Sequence, residues 1–281
     1  MDSLRDILAA RGIQIPSGIP IPTSCDTDSK EYILARAKAA NRLEGSLTGY
    51  ECQRCKNRGF YSIVREREDI PGTWEEVTKE CECMPARREL ARIKASGLEK
   101  LANKKTFRNY NADEEWKKRI KEAGKKYADD SPRSWFYIGG QPGCGKTHIC
   151  AAIGMELLKK GRAVRYMVWP DENPKLKAYV NEISFESLIA PYKTVDVLYI
   201  DDFFKTKKDE PISTADVNMA FRIINYRYNA ELVTIISSEF SLTQIIGIDQ
   251  ALGSRIVEMT EPKYNLYIGL DPKKNYRFKN T

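Results

Sequence analysis

The sequence predicts an α/β protein: a P-loop domain on a mostly parallel sheet, preceded by a small module built on four cysteines. Three observations carry this expectation. From Ser134 onward, short apolar runs alternate with amphipathic stretches, the pattern of strands and helices in a parallel sheet. A complete G-x-x-x-x-G-K-[ST] run, Gly140 to Thr147, lies between one such strand and one such helix. Cys52, Cys55, Cys81 and Cys83 fall in two close pairs.

Composition sets the bounds. The chain has 281 residues, with 46 Lys and Arg against 39 Asp and Glu, a net charge of +7. Hydrophobic residues are 42% and charged residues 30%, too apolar for a disordered chain and too polar for a membrane protein. No apolar run approaches the roughly 18–20 residues of a membrane span. The first residues, MDSLRDILAARG, lack the apolar core of a secretory signal. A soluble, cytoplasmic protein without membrane contact is expected. The single histidine, His148, argues against a histidine-rich metal centre or a Ser-His-Asp triad. Seven cysteines without an export signal argue against a disulfide framework.

Taken in order, residues 1–24 are turn-rich and end in IPSGIPIPTS. Residues 28–43 read as a short, partly exposed helix, capped by Asp28 or Ser29 and followed by Gly45. Between the cysteine pairs, FYSIVRERE, the turn DIPGTW and EEVTKE read as a hairpin. Residues 84–126 are basic, with 14 Lys and Arg against 6 Asp and Glu, enough to account for the whole net charge. ARRELARIKASGLEKL and EEWKKRIKEAGKKYA read as helices there. The expected division is a helical segment over 1–49, a cysteine module with basic linker over 50–104, and a nucleotide-binding domain over 105–281.

SWFYIGG is a strand running into Gly140, Gln141, Pro142, Gly143, Cys144, Gly145, Lys146, Thr147 and His148. Glycines there let backbone N–H groups turn inward on phosphates, and the helix N-terminus adds a favourable dipole. Lys146 is expected on the β- and γ-phosphates, and the Thr147 hydroxyl on Mg²⁺. A P-loop enzyme also needs an acidic residue at the end of a neighbouring buried strand. VDVLYIDD supplies two: Asp201 as the Mg²⁺ ligand through water, and Asp202 to orient the attacking water. LVTIISSE, residues 232–239, is a further buried strand ending in polar groups that could stand beside the γ-phosphate. Arg255, in GSRI, is either a surface salt-bridge residue or an arginine that enters a neighbouring subunit's site.

Four thiolates can close a tetrahedral Zn²⁺ site and hold together a module with little core. The second pair, C-x-C, has an unusual spacing. Reduced structural cysteines and an iron–sulfur cluster are the alternatives.

Through GGQPGCGKTH, KTVDVLYIDDFFKT, ADVNMAFRIINYRY, TIISSE, ALGSRI and KNYRFK, the chain resembles the AAA+ ATPases of the bacterial helicase-loader clade, of the DnaC/DnaI type. The likeness is strong over roughly residues 105–281 and moderate over the cysteine segment. It implies an AAA+ P-loop fold, ATP and Mg²⁺ as ligands, a sensor residue at the end of TIISSE, and Arg255 as an arginine finger in an ATP-dependent oligomer. It also implies that Arg277 lies near the nucleotide and that Thr106–Tyr110 borders the adenine, with Phe107 and Tyr110 as candidates; an aromatic anchor for the linker is the alternative. The N-terminal module is implied to contact a replicative hexameric DNA helicase.

Two residues depart from the family pattern. Asp202 stands where Glu is usual, and Glu239 where the sensor is usually Asn. Either Ser238 serves as sensor or Glu239 pairs with an arginine, and ATP turnover is expected to be slow.

The resemblance also implies single-stranded DNA as a partner, followed by a helix carrying Lys175, Lys177 and Tyr179. Phe203, Phe204, Lys205, Lys207 and Lys208 combine aromatic rings that can stack on bases with cations that can follow phosphates. Core packing is the alternative for the two phenylalanines. The combined expectation is an ATP-dependent helicase loader acting in phage DNA replication. The rivals are a transposition helper ATPase of the insertion-sequence type and a non-catalytic phage decoy that binds a host helicase or loader. The short stretch after Pro262 disfavours a DnaA-like initiator.

Overall fold

The computed structural model describes residues 29–49, 51–206 and 210–276. The chain divides into two compact units, Met1–Leu90 and Ala91–Thr281.

In the first unit, Ser29 caps helix α1 (Lys30–Arg42), its side chain accepting from Tyr32 N at 3.3 Å. Only Ile33 and Ala37 of α1 are buried, so the helix contributes a narrow apolar stripe. It lies on an antiparallel hairpin, β1 (Phe60–Glu66) and β2 (Trp74–Glu80), paired from Phe60↔Glu80 to Glu66↔Trp74. Asn41 ties helix to hairpin. Its amide donates to Ser62 O and accepts from Ser62 N, both at 2.8 Å. Among the described residues of this unit the other buried apolar side chains are Cys55, Cys81 and Cys83, so the cysteine cluster is most of the core they form.

Helix α2 (Met84–Ser96) runs through the point of division, and Gly97, at φ +79°, separates it from the short α3 (Glu99–Ala102). This division falls before the one expected between residues 104 and 105. Leu98, Phe107 and Tyr110 are already buried in the core of the second unit. A basic stretch reads as a linker by composition, but three large apolar side chains dock it.

The second unit is a five-stranded parallel sheet with helices on both faces. Its strands are β3 (Trp135–Gly140), β4 (Val164–Val168), β5 (Val197–Phe203), β6 (Val233–Ser238) and β7 (Thr260–Ile268), in spatial order β4-β5-β6-β3-β7. Strands β3 and β6 are buried at every position, as expected where both faces are covered. The two-residue period splits them cleanly. Phe136, Ile138, Tyr199 and Ile235 face one layer, with α4 (Glu115–Asp130) and α5 (Lys146–Lys159). Trp135, Tyr137, Leu198, Ile200 and Ile236 face the other. That layer holds α6 (Trp169–Ala178), α7 (Phe185–Thr194), α8 (Thr214–Asn229), α9 (Leu242–Ile248) and α10 (Gln250–Met259). Strand β3 sits inside the sheet while the chain leaves it, through α5, for the far edge. The carboxyl ends of β3, β5 and β6 therefore surround a crevice where α/β sheets bind ligands. Among the described residues no helix is long and apolar enough to cross a membrane.

Candidate nucleotide site

The loop between β3 and α5 is shaped by close backbone approach. Gly140 has φ +137°, and a Cβ there would stand 2.3 Å from Ile268 O. Gly143 has φ +77°, and a Cβ there would stand 2.0 Å from Asn275 Oδ1. Gln141 pins the loop from outside: its amide donates to Asp271 O and accepts from Asp271 N, both at 2.7 Å. The buried Cys144 thiol donates to Gln141 O at 2.9 Å, so it braces the loop rather than facing the crevice. Lys146 opens α5, and its ammonium donates to Gly140 O at 2.7 Å and Gln141 O at 2.9 Å.

Thr147 Oγ1 donates to Asp201 Oδ1 at 3.0 Å. The same carboxylate accepts from Tyr199 OH at 2.7 Å, from Tyr166 OH at 2.9 Å and from Ser237 Oγ. Asp201 is thus a buried carboxylate with four hydroxyl donors. Burial, and then the Asp201 charge, push both tyrosine hydroxyls well above their ordinary range, so they remain donors.

After Asp201 the strand breaks register, and Asp202 and Phe204 take φ +54° and +62°. The bend turns Asp202 into the crevice and sends Phe203 into the core. Asp202 N donates to Ser237 Oγ at 3.1 Å, and Ser238 Oγ donates to Phe203 O at 2.8 Å. Ser238 is fully buried and committed to that bond, so Glu239, not Ser238, lines the crevice. Its partner is Lys205, not an arginine: Lys205 Nζ lies 3.1 Å from Glu239 Oε1 and 2.9 Å from Asp202 Oδ2.

These groups enclose a cavity of about 410 Å³, a size that suits a small-molecule ligand. Its far end is lined by Lys105, Asn109, Tyr110, Asn111, His148 and Tyr276. The Tyr110 ring meets His148 edge-on at 5.1 Å, and its buried hydroxyl has no hydrogen-bond partner among the described residues. Burial holds the His148 imidazole below its ordinary range, against a bond to Thr106 O at 2.9 Å. Tyr276 closes this end, its N–H donating to Gly143 O at 3.0 Å and its hydroxyl to Asn111 O at 3.1 Å. Of the two linker aromatics only Tyr110 reaches the cavity. Phe107 packs beside Gly124 and Ile149 in the core.

The four cysteines come together in the first unit. Their sulfurs all lie within 4.8 Å of one another, with Cys52–Cys81 at 3.7 Å and Cys55–Cys83 at 3.6 Å. A tetrahedron of about 2.3 Å Zn–S bonds has edges of about 3.8 Å, so this cluster matches a zinc site in donor type and spacing. Gly59 N donates to Cys55 Sγ at 3.4 Å, consistent with a thiolate there.

The single-strand surface inferred from the sequence is corrected in part. Phe203 and Phe204 are 0% and 1% exposed, packed against each other at 4.3 Å and against Trp169, so neither offers a face to a base. Lys205 lines the crevice with Asp202 and Glu239. Lys177 is bound to Asp216, and Lys175 to Glu172 at 2.8 Å. Tyr179, just beyond α6, remains 49% exposed. Arg255 lies on α10, outside this chain's own cavity, over the rings of Phe221 and Tyr228 at 5.1 and 5.5 Å. Cys25, Lys207, Lys208 and Arg277 lie outside the described residues. The sequence reading overlooked Tyr276, Asn111 and Lys105. Lys105 and Asn111 flank the predicted stretch, and the chain's return over the loop brings Tyr276 there.

Over residues 76–258 the chain matches the family described as IstB-like ATP binding protein. It is 33% identical over 202 residues to the uncharacterized protein YqaM of Bacillus subtilis, covering 68% of this chain and 64% of that one. It is 29% identical over 133 residues to the replicative helicase loader DnaC of Buchnera aphidicola, covering 46% of this chain and 53% of that one. The matches therefore span about half to two thirds of these relatives' lengths. A crystal structure of the DnaC helicase loader superposes with a TM-score of 0.52 at 23% identity, over 61% of this chain and 99% of that chain. At that identity the likeness speaks for the fold alone.

Proposed function

The chain belongs to the IstB-like ATP-binding protein family, and from that premise we propose that it is a Mg²⁺-dependent ATPase that loads a replicative hexameric helicase onto single-stranded DNA. The observation that carries the ATPase reading is the meeting of Thr147 and Asp201 at 3.0 Å beside the Lys146 loop. Hard oxygen donors in that position suit Mg²⁺. When bound, the ion spreads charge from the β- and γ-phosphate oxygens.

The protein's own groups do the rest. Backbone N–H groups of the glycine loop and Lys146 grip the phosphates. Asp202, turned into the cavity by the bend after β5, orients the attacking water. Tyr110, His148 and Tyr276 take the nucleoside end.

The cysteine cluster supplies the second part of the reading. Cys52, Cys55, Cys81 and Cys83 would hold Zn²⁺ and fasten the base of the hairpin. This stapled unit, distinct from the ATPase unit, is the surface offered to a helicase in the bacterial cytoplasm. Arg255, outside its own chain's cavity, acts on a neighbour's nucleotide in an ATP-dependent oligomer. Arg255→Ala should leave ATP binding intact and suppress concentration-dependent turnover; full activity at high protein concentration would refute the role in trans.

Two measurements test the whole. ATP hydrolysis should be stimulated by single-stranded DNA, and the chain should co-purify with a replicative helicase in the presence of ATP. Hydrolysis without helicase binding would favour a second reading, a transposition helper. Helicase binding without hydrolysis would favour the decoy.

A further inference from the structure

Three anionic groups converge if the cavity holds a triphosphate: Asp202, Glu239 and the γ-phosphate. Asp202 and Glu239 both line the cavity. Lys146 is engaged on the loop side, with the carbonyls of Gly140 and Gln141. The ion pairs of Asp202 and Glu239 both go to Lys205, at 2.9 and 3.1 Å.

The position of Lys205 is built. Phe203 and Phe204 immediately before it are buried against Trp169. Lys205 N donates to Asp202 O at 2.9 Å, closing the turn. Ser237 and Ser238 bind that turn to the end of β6, through Asp202 N at 3.1 Å and Phe203 O at 2.8 Å. Glu239 follows directly. The two carboxylates and the ammonium therefore sit on one hydrogen-bonded knot between β5 and β6. A carboxylate facing a phosphate opposes binding unless a cation lies between them.

We propose that Lys205 is the positioning residue at the γ-phosphate end of the cavity, neutralising Glu239 so that a triphosphate can bind and holding Asp202 toward the attacking water. The proposal rests on the nucleotide reading above. It makes Lys205 and Glu239 a matched pair: Glu239 is tolerated there because Lys205 is present. It also accounts for the sensor position carrying an acid.

The test is binding of ADP and of a non-hydrolysable ATP analogue, both with Mg²⁺, by calorimetry on the full chain. Lys205→Met should weaken the triphosphate about tenfold or more while ADP changes by less than about threefold, because only the triphosphate reaches the two bare carboxylates. Adding Glu239→Gln to Lys205→Met should restore most of the loss, and Lys205→Arg should lose little. A structural lysine would move both nucleotides together and would not be rescued by Glu239→Gln. An unchanged triphosphate-to-diphosphate ratio in Lys205→Met, or a double variant as weak as the single, overturns the proposal. Should Lys205→Met fail to fold, Glu239→Gln alone decides: it frees Lys205 and should raise the same ratio, and an unchanged ratio overturns the proposal. Lys146→Ala separates the two readings. If it retains nucleotide affinity, the nucleotide site itself is wrong and this inference falls with it. If it loses affinity while Lys205→Met behaves as wild type, only this inference falls.

Discussion

Replacing Asp201 by alanine should destabilise the nucleotide-free protein as well as remove a Mg²⁺ ligand. The carboxylate accepts from Thr147, Tyr166, Tyr199 and Ser237. Tyr199 and Ser237 are 0% exposed, so water cannot replace the lost acceptor for either. Thr147 and Tyr166 are partly exposed and can be rehydrated. Each hydrogen bond to a charged group contributes about 1.5–3 kcal/mol, so the two stranded hydroxyls alone put the cost at about 3–6 kcal/mol. The desolvation of the carboxylate is already offset by its donors, so its removal brings little relief. For a unit of this size that corresponds to a fall in Tm of roughly 6–24 °C. Asp201→Asn keeps one acceptor oxygen and should lose about half as much. Urea denaturation and thermal melts without nucleotide or metal measure this directly. If Asp201→Ala stayed within about 1 kcal/mol of wild type, the hydroxyl cage would not be a stabilising element.

Other outcomes follow from the same geometry. Cys52→Ser with Cys55→Ser should abolish bound zinc, read by metal analysis, and melt the first unit while the second still binds ATP; unchanged metal content would contradict the thiolate site. Phe203→Ala should destabilise by about 3–5 kcal/mol, as core aromatic truncations do, and leave the DNA affinity of the folded fraction unchanged; a selective loss of DNA binding would reinstate its surface role. Burial alone would raise the Asp216 carboxyl, but bonds from Lys177, Ser213 and Asn173 overcome it and hold it down to about 2. A depressed folded pKa stabilises above the unfolded value, so about 2 kcal/mol should be present above pH 4 and be lost as pH falls toward 2. NMR titration of Asp216 in wild type and Lys177→Met checks this, and equal midpoints would refute the pairing.

Much of this protein is legible along the chain because its signals are local. A parallel strand buried on both faces must be continuously apolar, and WFYIGG and VTIISS are. A loop that wraps phosphate needs glycine where a Cβ would strike backbone, as at Gly140. Two close pairs of cysteines mark a candidate metal site before any fold is known. The positions of Gly140 to Thr147, Asp201 and the four cysteines therefore needed no tertiary information.

What the tertiary structure decided is which way side chains face where the chain bends or returns. Phe203, Phe204 and Lys205 are consecutive and read alike as a DNA surface. The turn at Asp202 sends two of them into the core and the third to the cavity beside the glycine loop. Ser238 and Glu239 compete for one role in the sequence, and a single hydrogen bond to Phe203 O removes Ser238 from it. Tyr276 lies far from the glycine loop in sequence yet closes the cavity, because Asp271 is bound to Gln141. Local pattern sets which element forms, since strand and helix periods are properties of neighbouring residues. Long-range packing sets which side chain meets the ligand, since that depends on segments the local pattern does not contain.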